Sequence, residues 1–163
     1  MNDVVKRRIT FLLESAKNES LKDQAITFVM RVLSNHASIG KDAQSTPIKK
    51  INRLVTKKAK EMLLTKGIEF FCKETINEHQ KPIKQIWEWL KNNAHNLTVE
   101  DVWKEFCEYP MVTVTKDEDA YMRKKGLNSK GSLKERYLDL GIEIIELDKS
   151  PYDISKLLNK KNN

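Results

Sequence analysis

Apolar residues recur every three to four positions through roughly the first two thirds of this chain, and that periodicity constrains the fold more than any other feature. Val5, Ile9 and Leu12 would share one face of a first helix, and Ile86 and Leu90 one face of a later helix. Although 33% of the residues are charged, the apolar ones occur in such blocks. This favours a folded, mainly α protein over a disordered chain.

The pattern changes after Pro110, where alternating β-branched residues replace the helical period. The segments MVTVT (111–115) and IEIIEL (142–147) are typical of strands. We expect them to pair with each other. The sequence therefore predicts a helical domain over residues 1–97, followed by a small α+β module with a two-stranded sheet over residues 98–163.

Polar residues mark where several helices begin. Ser20 with Asp23, and Thr98 with Asp101, have the spacing of a capping box. Thr46-Pro47 is typical of a helix start. We expect a third helix from about Pro47 to Lys66.

The third predicted helix carries a basic face opposite its apolar one. From residue 48 to residue 66, seven basic residues stand against one acid, a net charge of +6. Four of them follow each other at spacings of four, four and three: Lys49, Arg53, Lys57 and Lys60. This stripe predicts contact with a phosphate backbone. A solvated lysine face is the alternative, but compensating glutamates at i±4 are nearly absent.

A second basic candidate is the segment YMRKKGLNSKGSLKERY, from Tyr121 to Tyr137. Its glycine and serine residues would offer backbone N–H groups and hydroxyls beside a helix N-terminus. Its predicted phosphate-binding side chains are Arg123, Lys124, Lys130, Lys134 and Arg136. The GxxxxGK[ST] spacing of a P-loop is missing. A solvated turn between two structured segments is the alternative.

The overall charge indicates an anionic partner. The chain has a net charge of +7 and an isoelectric point near 9.3. Residues 97–119, with seven acids against two lysines, are the acidic exception. We therefore predict a nucleic-acid-binding protein or a subunit of a nucleoprotein complex, with DNA or RNA as partner.

A small nuclease is the first alternative, and one version of it depends on metal. Asp117, Glu118 and Asp119 directly follow a predicted strand, and Glu143 or Glu146 would join them across the sheet to hold Mg²⁺. Acids in the first turn of a helix also compensate its dipole, so helix capping is the competing interpretation.

A metal-free version depends on the segment RVLSNH, which resembles the R-x4-H element of HEPN-type ribonucleases over six residues. That resemblance implies that Arg31 and His36 are catalytic and lie near a helical dimer interface. His79 is a further candidate general base, but no nucleophile or metal ligand lies at a spacing from it that would indicate an active site.

A protein-interaction subunit is the remaining alternative, with Trp89 as the contact because it points away from the face of Ile83, Ile86 and Leu90. Cys72 and Cys107 are expected to be buried free thiols, and no cofactor or structural metal motif is present. The chain lacks an apolar run of membrane-spanning length and a signal peptide, so we expect no membrane partner and a cytoplasmic, microbial setting.

Overall fold

The computed structural model describes residues 1–18, 24–42 and 45–161, which form helices around a small mixed sheet. The helices in these ranges are α1 (Asp3–Lys17), α2 (Gln24–Ile39), α3 (Ser45–Ile51), α4 (Lys57–Glu74), α5 (Ile83–Asn93), α6 (Val99–Glu108), α7 (Lys116–Lys124), α8 (Leu133–Arg136) and α9 (Pro151–Lys161). The strands are β1 (Leu54–Thr56), β2 (Thr75–His79), β3 (Met111–Thr115) and β4 (Ile144–Glu146). A 3₁₀ turn spans Leu138–Leu140. The predicted cap at Ser20 and Asp23 lies outside the described residues.

Helices α1, α2, α5 and α6 share one hydrophobic core. Ile9, Leu12, Leu33, Leu90 and Phe106 are all buried in it. The apolar faces predicted for α1 and α5 are thus confirmed, and so is the Thr98–Asp101 capping box at the start of α6. Full burial of each such side chain is worth roughly 1.5–3 kcal/mol, which makes this core the main support of the helical part.

The sheet has four strands in the order β2-β3-β1-β4, so the predicted two-stranded, C-terminal sheet is wrong in both strand number and placement. β1 runs parallel to β3, and the other two pairs are antiparallel. β3 and β4 do form where predicted, but β1 lies between them. Because β1 and β2 come from residues 1–97 and β3 and β4 from residues 98–163, the two predicted domains contribute to the same sheet.

The predicted third helix from Pro47 to Lys66 is interrupted. α3 ends at Ile51, and β1 follows before α4 begins at Lys57. Val55 has helical spacing from Ile48 and Ile51 in sequence, but it is a buried sheet residue whose backbone pairs with Ile145. Burial between the sheet and α4 outweighs the local helical period here. Gly67, directly after the predicted helix end at Lys66, breaks the helical geometry of α4 with a φ of 78°.

Two parallel strands end side by side, and each leads directly into a helix. Thr56 caps α4 after β1, and Thr115 caps α7 after β3. The buried carboxylate of Glu118 joins both turns, since it accepts hydrogen bonds from the Thr56 hydroxyl at 2.7 Å and from the Thr115 N–H at 2.8 Å. Glu118 therefore fixes the relative position of the starts of α4 and α7.

Within residues 1–18, 24–42 and 45–161, none of the helices combines the length and the apolar character that a membrane span requires. Both cysteines are free thiols, as expected. Cys72 is partly buried, whereas Cys107 is exposed, so the predicted burial of Cys107 is wrong.

We expect Glu118→Ala to lower the free energy of unfolding by about 2–3 kcal/mol, because it leaves the buried Thr56 and Thr115 donors without their charged acceptor. Chemical denaturation followed by circular dichroism measures this loss. Asp117→Ala is the matched control, since the Asp117 side chain is 82% exposed and forms an ion pair with the exposed Lys58. It should cost less than about 1 kcal/mol. Equal losses for the two variants would show that Glu118 does not join the strand ends.

Candidate functional site

A cleft of about 500 Å³ runs along the open edge of β2, which is an outer strand of the sheet. α2, α3 and α7 each contribute one cation to it, namely Arg31, Lys49 and Arg123. We call this feature the β2 cleft. Its apolar lining comes from Ile48, Ile76 and Met111, and its polar lining includes two asparagines besides the charged groups.

Lys49 lies at one end of the β2 cleft, held by backbone carbonyls. Its ammonium donates hydrogen bonds to the carbonyl oxygens of Cys72 and Thr75, where α4 ends and β2 begins. Partial burial lowers the pKa of Lys49 from its ordinary value. Because an ammonium group has three donors and two are used here, one N–H remains for an anion in the cleft.

Lys116 extends the positive charge beyond Lys49. It is the first residue of α7, and its charge also lowers the pKa of Lys49. Its only ion pair within the described part of the chain is with Glu74 at 3.7 Å, between side chains that are 52% and 29% exposed. An ion pair this exposed is worth at most about 1 kcal/mol, so Lys116 can exchange it for another anion.

Arg123 belongs to a chain of alternating charges on the α7 side of the cleft. It pairs with the largely buried Asp119 at 2.7 Å, and the neighbouring Glu78 carboxylate is bound by Arg136. Burial raises the pKa of Glu78, although the charge and hydrogen bond of Arg136 oppose that rise. The positive charges of Arg123 and Arg136 are therefore neutralised by the carboxylates of Asp119 and Glu78. The positive excess of the cleft therefore comes from Arg31, Lys49 and Lys116.

His79 ends β2 and opens on the same cleft. Part of its surface is accessible, yet the surrounding protein desolvates the ring strongly. Burial, with the charges of Arg31 and Arg136, lowers the pKa of His79 to about 4. The imidazole is therefore neutral at pH 7 and can accept a proton. Residue spacing did not reveal the charged neighbours of His79, because Arg31 on α2 and Arg136 on α8 are distant from it in sequence.

The predicted basic stripe does not form a single helix face. Lys49 is on α3, Arg53 precedes β1, and Lys57 and Lys60 lie in the first turn of α4. Arg53 donates to the Leu147 carbonyl at 2.7 Å and pairs with Glu146, and Lys57 pairs with Glu143 at 3.2 Å. Lys60 is exposed. β1 separates these side chains, so only Lys49 reaches the β2 cleft.

The second predicted site, from Arg123 to Arg136, divides into exposed cations and one buried arginine. Lys124 and Lys130 are exposed, and Lys134 is exposed with only a distant contact, 3.9 Å, to Asp139. Arg136, in contrast, is 0% exposed. A fully buried guanidinium cannot contact nucleic acid, so the prediction for Arg136 is wrong.

Arg136 instead holds the turn after α7 against the end of β2. It donates to the carbonyl oxygens of Leu127 at 3.0 Å and Gln80 at 2.7 Å, to that of His79, and to the Glu78 carboxylate. The predicted start of this short helix is confirmed, since Ser132 and Glu135 form a capping box.

The acidic residues that were proposed to bind Mg²⁺ each contact a different partner. Asp117 pairs with Lys58, Glu118 caps α7 and bonds Thr56, and Asp119 pairs with Arg123. No group of three or more His, Cys, Asp or Glu side chains in the described ranges is arranged to hold a metal ion. The capping interpretation of these acids is confirmed by the Thr115–Glu118 capping box.

Arg31 and His36 lie on the same helix, but their side chains face different parts of the structure. Five residues turn an α-helix by about 140° beyond one full turn, so the two side chains diverge. Arg31 lines the β2 cleft, whereas the Nδ1 atom of His36 lies 2.6 Å from Asp42. Asp42 also binds Arg8 through two hydrogen bonds. The structure does not bring Arg31 and His36 together into one site.

Trp89, predicted as a protein contact, is partly buried and packs against the core of α1, α2, α5 and α6. The Lys81 ammonium lies 5.8 Å from the centroid of its ring. Trp89 therefore has a place in the fold, and a protein partner at this residue stays a prediction.

No family model, curated protein or solved structure matches the chain significantly.

We expect Arg136→Met to lower the free energy of unfolding by roughly 3–5 kcal/mol, because it leaves the Glu78 carboxylate and several carbonyls without a partner. Chemical denaturation measures the loss. Lys134→Met, two residues away and exposed, is the control and should change stability by less than about 0.5 kcal/mol. A mild effect of Arg136→Met would contradict its role in joining the turn to β2.

His79 should also make stability depend on pH. The unfolded chain binds this proton near pH 6.5, whereas the folded chain binds it near pH 4. Between these values the unfolded state binds more protons, so acidification favours unfolding. From pH 7 to pH 5 the wild type should lose about 2 kcal/mol more than His79→Gln. His95→Gln changes a histidine on an exposed turn, and its stability should depend on pH as that of the wild type does. Identical pH curves for all three proteins would show that His79 is not desolvated.

Proposed function

We propose that this chain binds nucleic acid and that the phosphate backbone lies along the β2 cleft. The observation that supports this most is that Arg31 from α2 and Lys49 from α3 line one cleft, with Lys116 of α7 beside Lys49. Arg31 is exposed and has no carboxylate partner among the described residues. Cations that gain no ion pair within the fold are available to replace the counterions of a polyanion.

The length of the cleft fits a strand of nucleic acid better than a single small anion. Arg31 acts electrostatically on His79 at one end of β2, and Lys49 bonds Thr75 at the other. Five residues of extended chain span about 13 Å between their first and last Cα atoms. Charges this far apart would meet different phosphates of one strand. The apolar side chains of Ile48, Ile76 and Met111 would lie against sugars or bases.

The exposed lysines near the cleft extend this surface. Lys124 follows Arg123 at the end of α7, and Lys130 and Lys134 lie on the turn and helix beyond. They would add sequence-independent attraction at the periphery, as Lys57 and Lys60 would at the start of α4. Binding of this kind is strongly salt-dependent because it depends on released counterions.

The test is a salt titration of binding to short single- and double-stranded DNA and RNA, followed by fluorescence anisotropy. Arg31→Gln/Lys116→Gln removes two cations of the cleft region without touching the core. For single strands we expect the slope of log affinity against log salt to fall by about 1.4, and the affinity near 0.1 M salt to fall roughly tenfold or more.

Two matched control variants each remove two positive charges at other places on the surface. Lys6→Gln/Lys84→Gln changes exposed lysines of α1 and α5, and should keep most of the affinity. Lys130→Gln/Lys134→Gln tests the turn after α7, and should have a smaller effect than the cleft variant. A larger effect of the turn variant would move the interface away from β2, and no salt-dependent binding by the wild type would refute the proposed function.

A further inference from the structure

We propose that the β2 cleft cleaves RNA without a metal ion, with His79 as general base for the 2′-hydroxyl and Arg31 as the cation that neutralises the phosphate. This inference rests on the proposed function, because the phosphodiester must first lie along β2. It differs from the pairing of Arg31 with His36, which the structure separates.

The geometry assigns these roles because His79 and Arg31 line the same cleft, one from the end of β2 and the other from α2. His79 lies at the outer end of an edge strand, and Arg31 reaches it from α2. The His79 ring makes no hydrogen bond to another described residue, so both its nitrogens stay available. Arg31 likewise keeps its guanidinium donors for a ligand, in the planar arrangement that suits two phosphate oxygens.

The charges around His79 keep its ring unprotonated, although the same charges lower its affinity for a proton. Arg31 faces it from α2 and Arg136 from α8, and both disfavour a protonated ring. Glu78, its neighbour on β2, also lines the cleft, and its carboxylate is bound by Arg136. Lys49 and Arg123 are the other charged groups of the cleft. With a pKa of about 4, the ring is neutral throughout the physiological range.

The reaction is an internal transesterification that needs no further reactant. The 2′-oxygen forms a bond to the adjacent phosphorus while its proton passes to a ring nitrogen of His79. The bond from phosphorus to the 5′-oxygen breaks, and the departing oxygen takes a proton from water. The products are a 2′,3′-cyclic phosphate and a 5′-hydroxyl, and the imidazolium returns its proton to solvent. Arg31 neutralises the charge that builds up on the non-bridging oxygens.

His36 is unsuited to this task. Its Nδ1 atom is bound to Asp42, which also binds Arg8. Its Nε2 atom lies 3.5 Å from the Asn2 side chain. Both ring nitrogens therefore have partners within the fold, and the ring lies on a different side of α2 from the cleft. His36 gives a matched control for His79.

The experiment follows cleavage of a labelled RNA oligonucleotide in EDTA, with a DNA oligonucleotide of the same sequence as the second substrate. We expect RNA but not DNA to be cut, with a cyclic phosphate detected by mass spectrometry. The rate should be nearly constant between pH 6 and pH 8. His79→Gln should lower the single-turnover rate by at least about 100-fold, the usual contribution of a general base, while RNA affinity changes only a few-fold.

His36→Gln, purified in parallel, should cleave within about twofold of the wild type. Loss of cleavage in His79→Gln but not in His36→Gln would exclude a contaminating ribonuclease. Added imidazole should partly restore His79→Ala, an effect that a purely structural role would not give. RNA binding without cleavage would overturn this inference and leave the proposed function standing. Cleavage that survives in His79→Gln, or is lost in His36→Gln, would overturn the assignment of the base. A wild type that binds no nucleic acid would refute both proposals.

Discussion

The buried guanidinium of Arg136 is the interaction on which the open side of the sheet depends. It ties the Leu127 carbonyl, in the turn after α7, to the carbonyls of His79 and Gln80 at the end of β2. It also neutralises Glu78, which would otherwise be a buried, unpaired carboxylate. A buried charge pair of this kind is costly to break, because either partner alone is left unsolvated. The end of β2 and the turn after α7 are thereby held together.

A second buried group, Glu118, organises the other side of the sheet. By bonding Thr56 and Thr115 it joins the ends of the two parallel strands, from which α4 and α7 begin. Together, Glu118 and Arg136 position α7 and the end of β2, while α3 is held through the bonds of Lys49 to Cys72 and Thr75. The elements that line the β2 cleft are thus held in position by specific polar contacts as well as by packing. Such support is what a site needs to hold its side chains in place.

Much of the helical part could be predicted from local sequence signals. The apolar period of α1, α5 and α6, and the capping boxes at Thr98 and Ser132, depend on residues close in the chain. β3 and β4 were also predictable, because β-branched residues dominate both. β1 was missed because Val55 continues the helical spacing of α3. β2 was missed because an edge strand reading TINEH shows no apolar alternation.

For the candidate site, the sequence indicated the kind of ligand but not the residues that come together to form the site. The excess of cations indicated a phosphate ligand, but the two predicted surfaces assumed that neighbours in sequence would share a face. Arg53 and Lys57 instead pair with carboxylates around β4, and Arg136 is buried. The cleft combines Arg31 and Lys49 with a strand edge, and such long-range pairing follows from topology rather than from residue spacing.

The most direct test of the central claim, that phosphate binds at the open edge of β2, is an amide NMR titration with a short single-stranded oligonucleotide. We expect the largest shifts along Thr75–His79 and around Arg31 and Lys49, and we expect them to diminish at high salt. Shifts concentrated in Gly126–Ser132, with β2 unaffected, would contradict this claim.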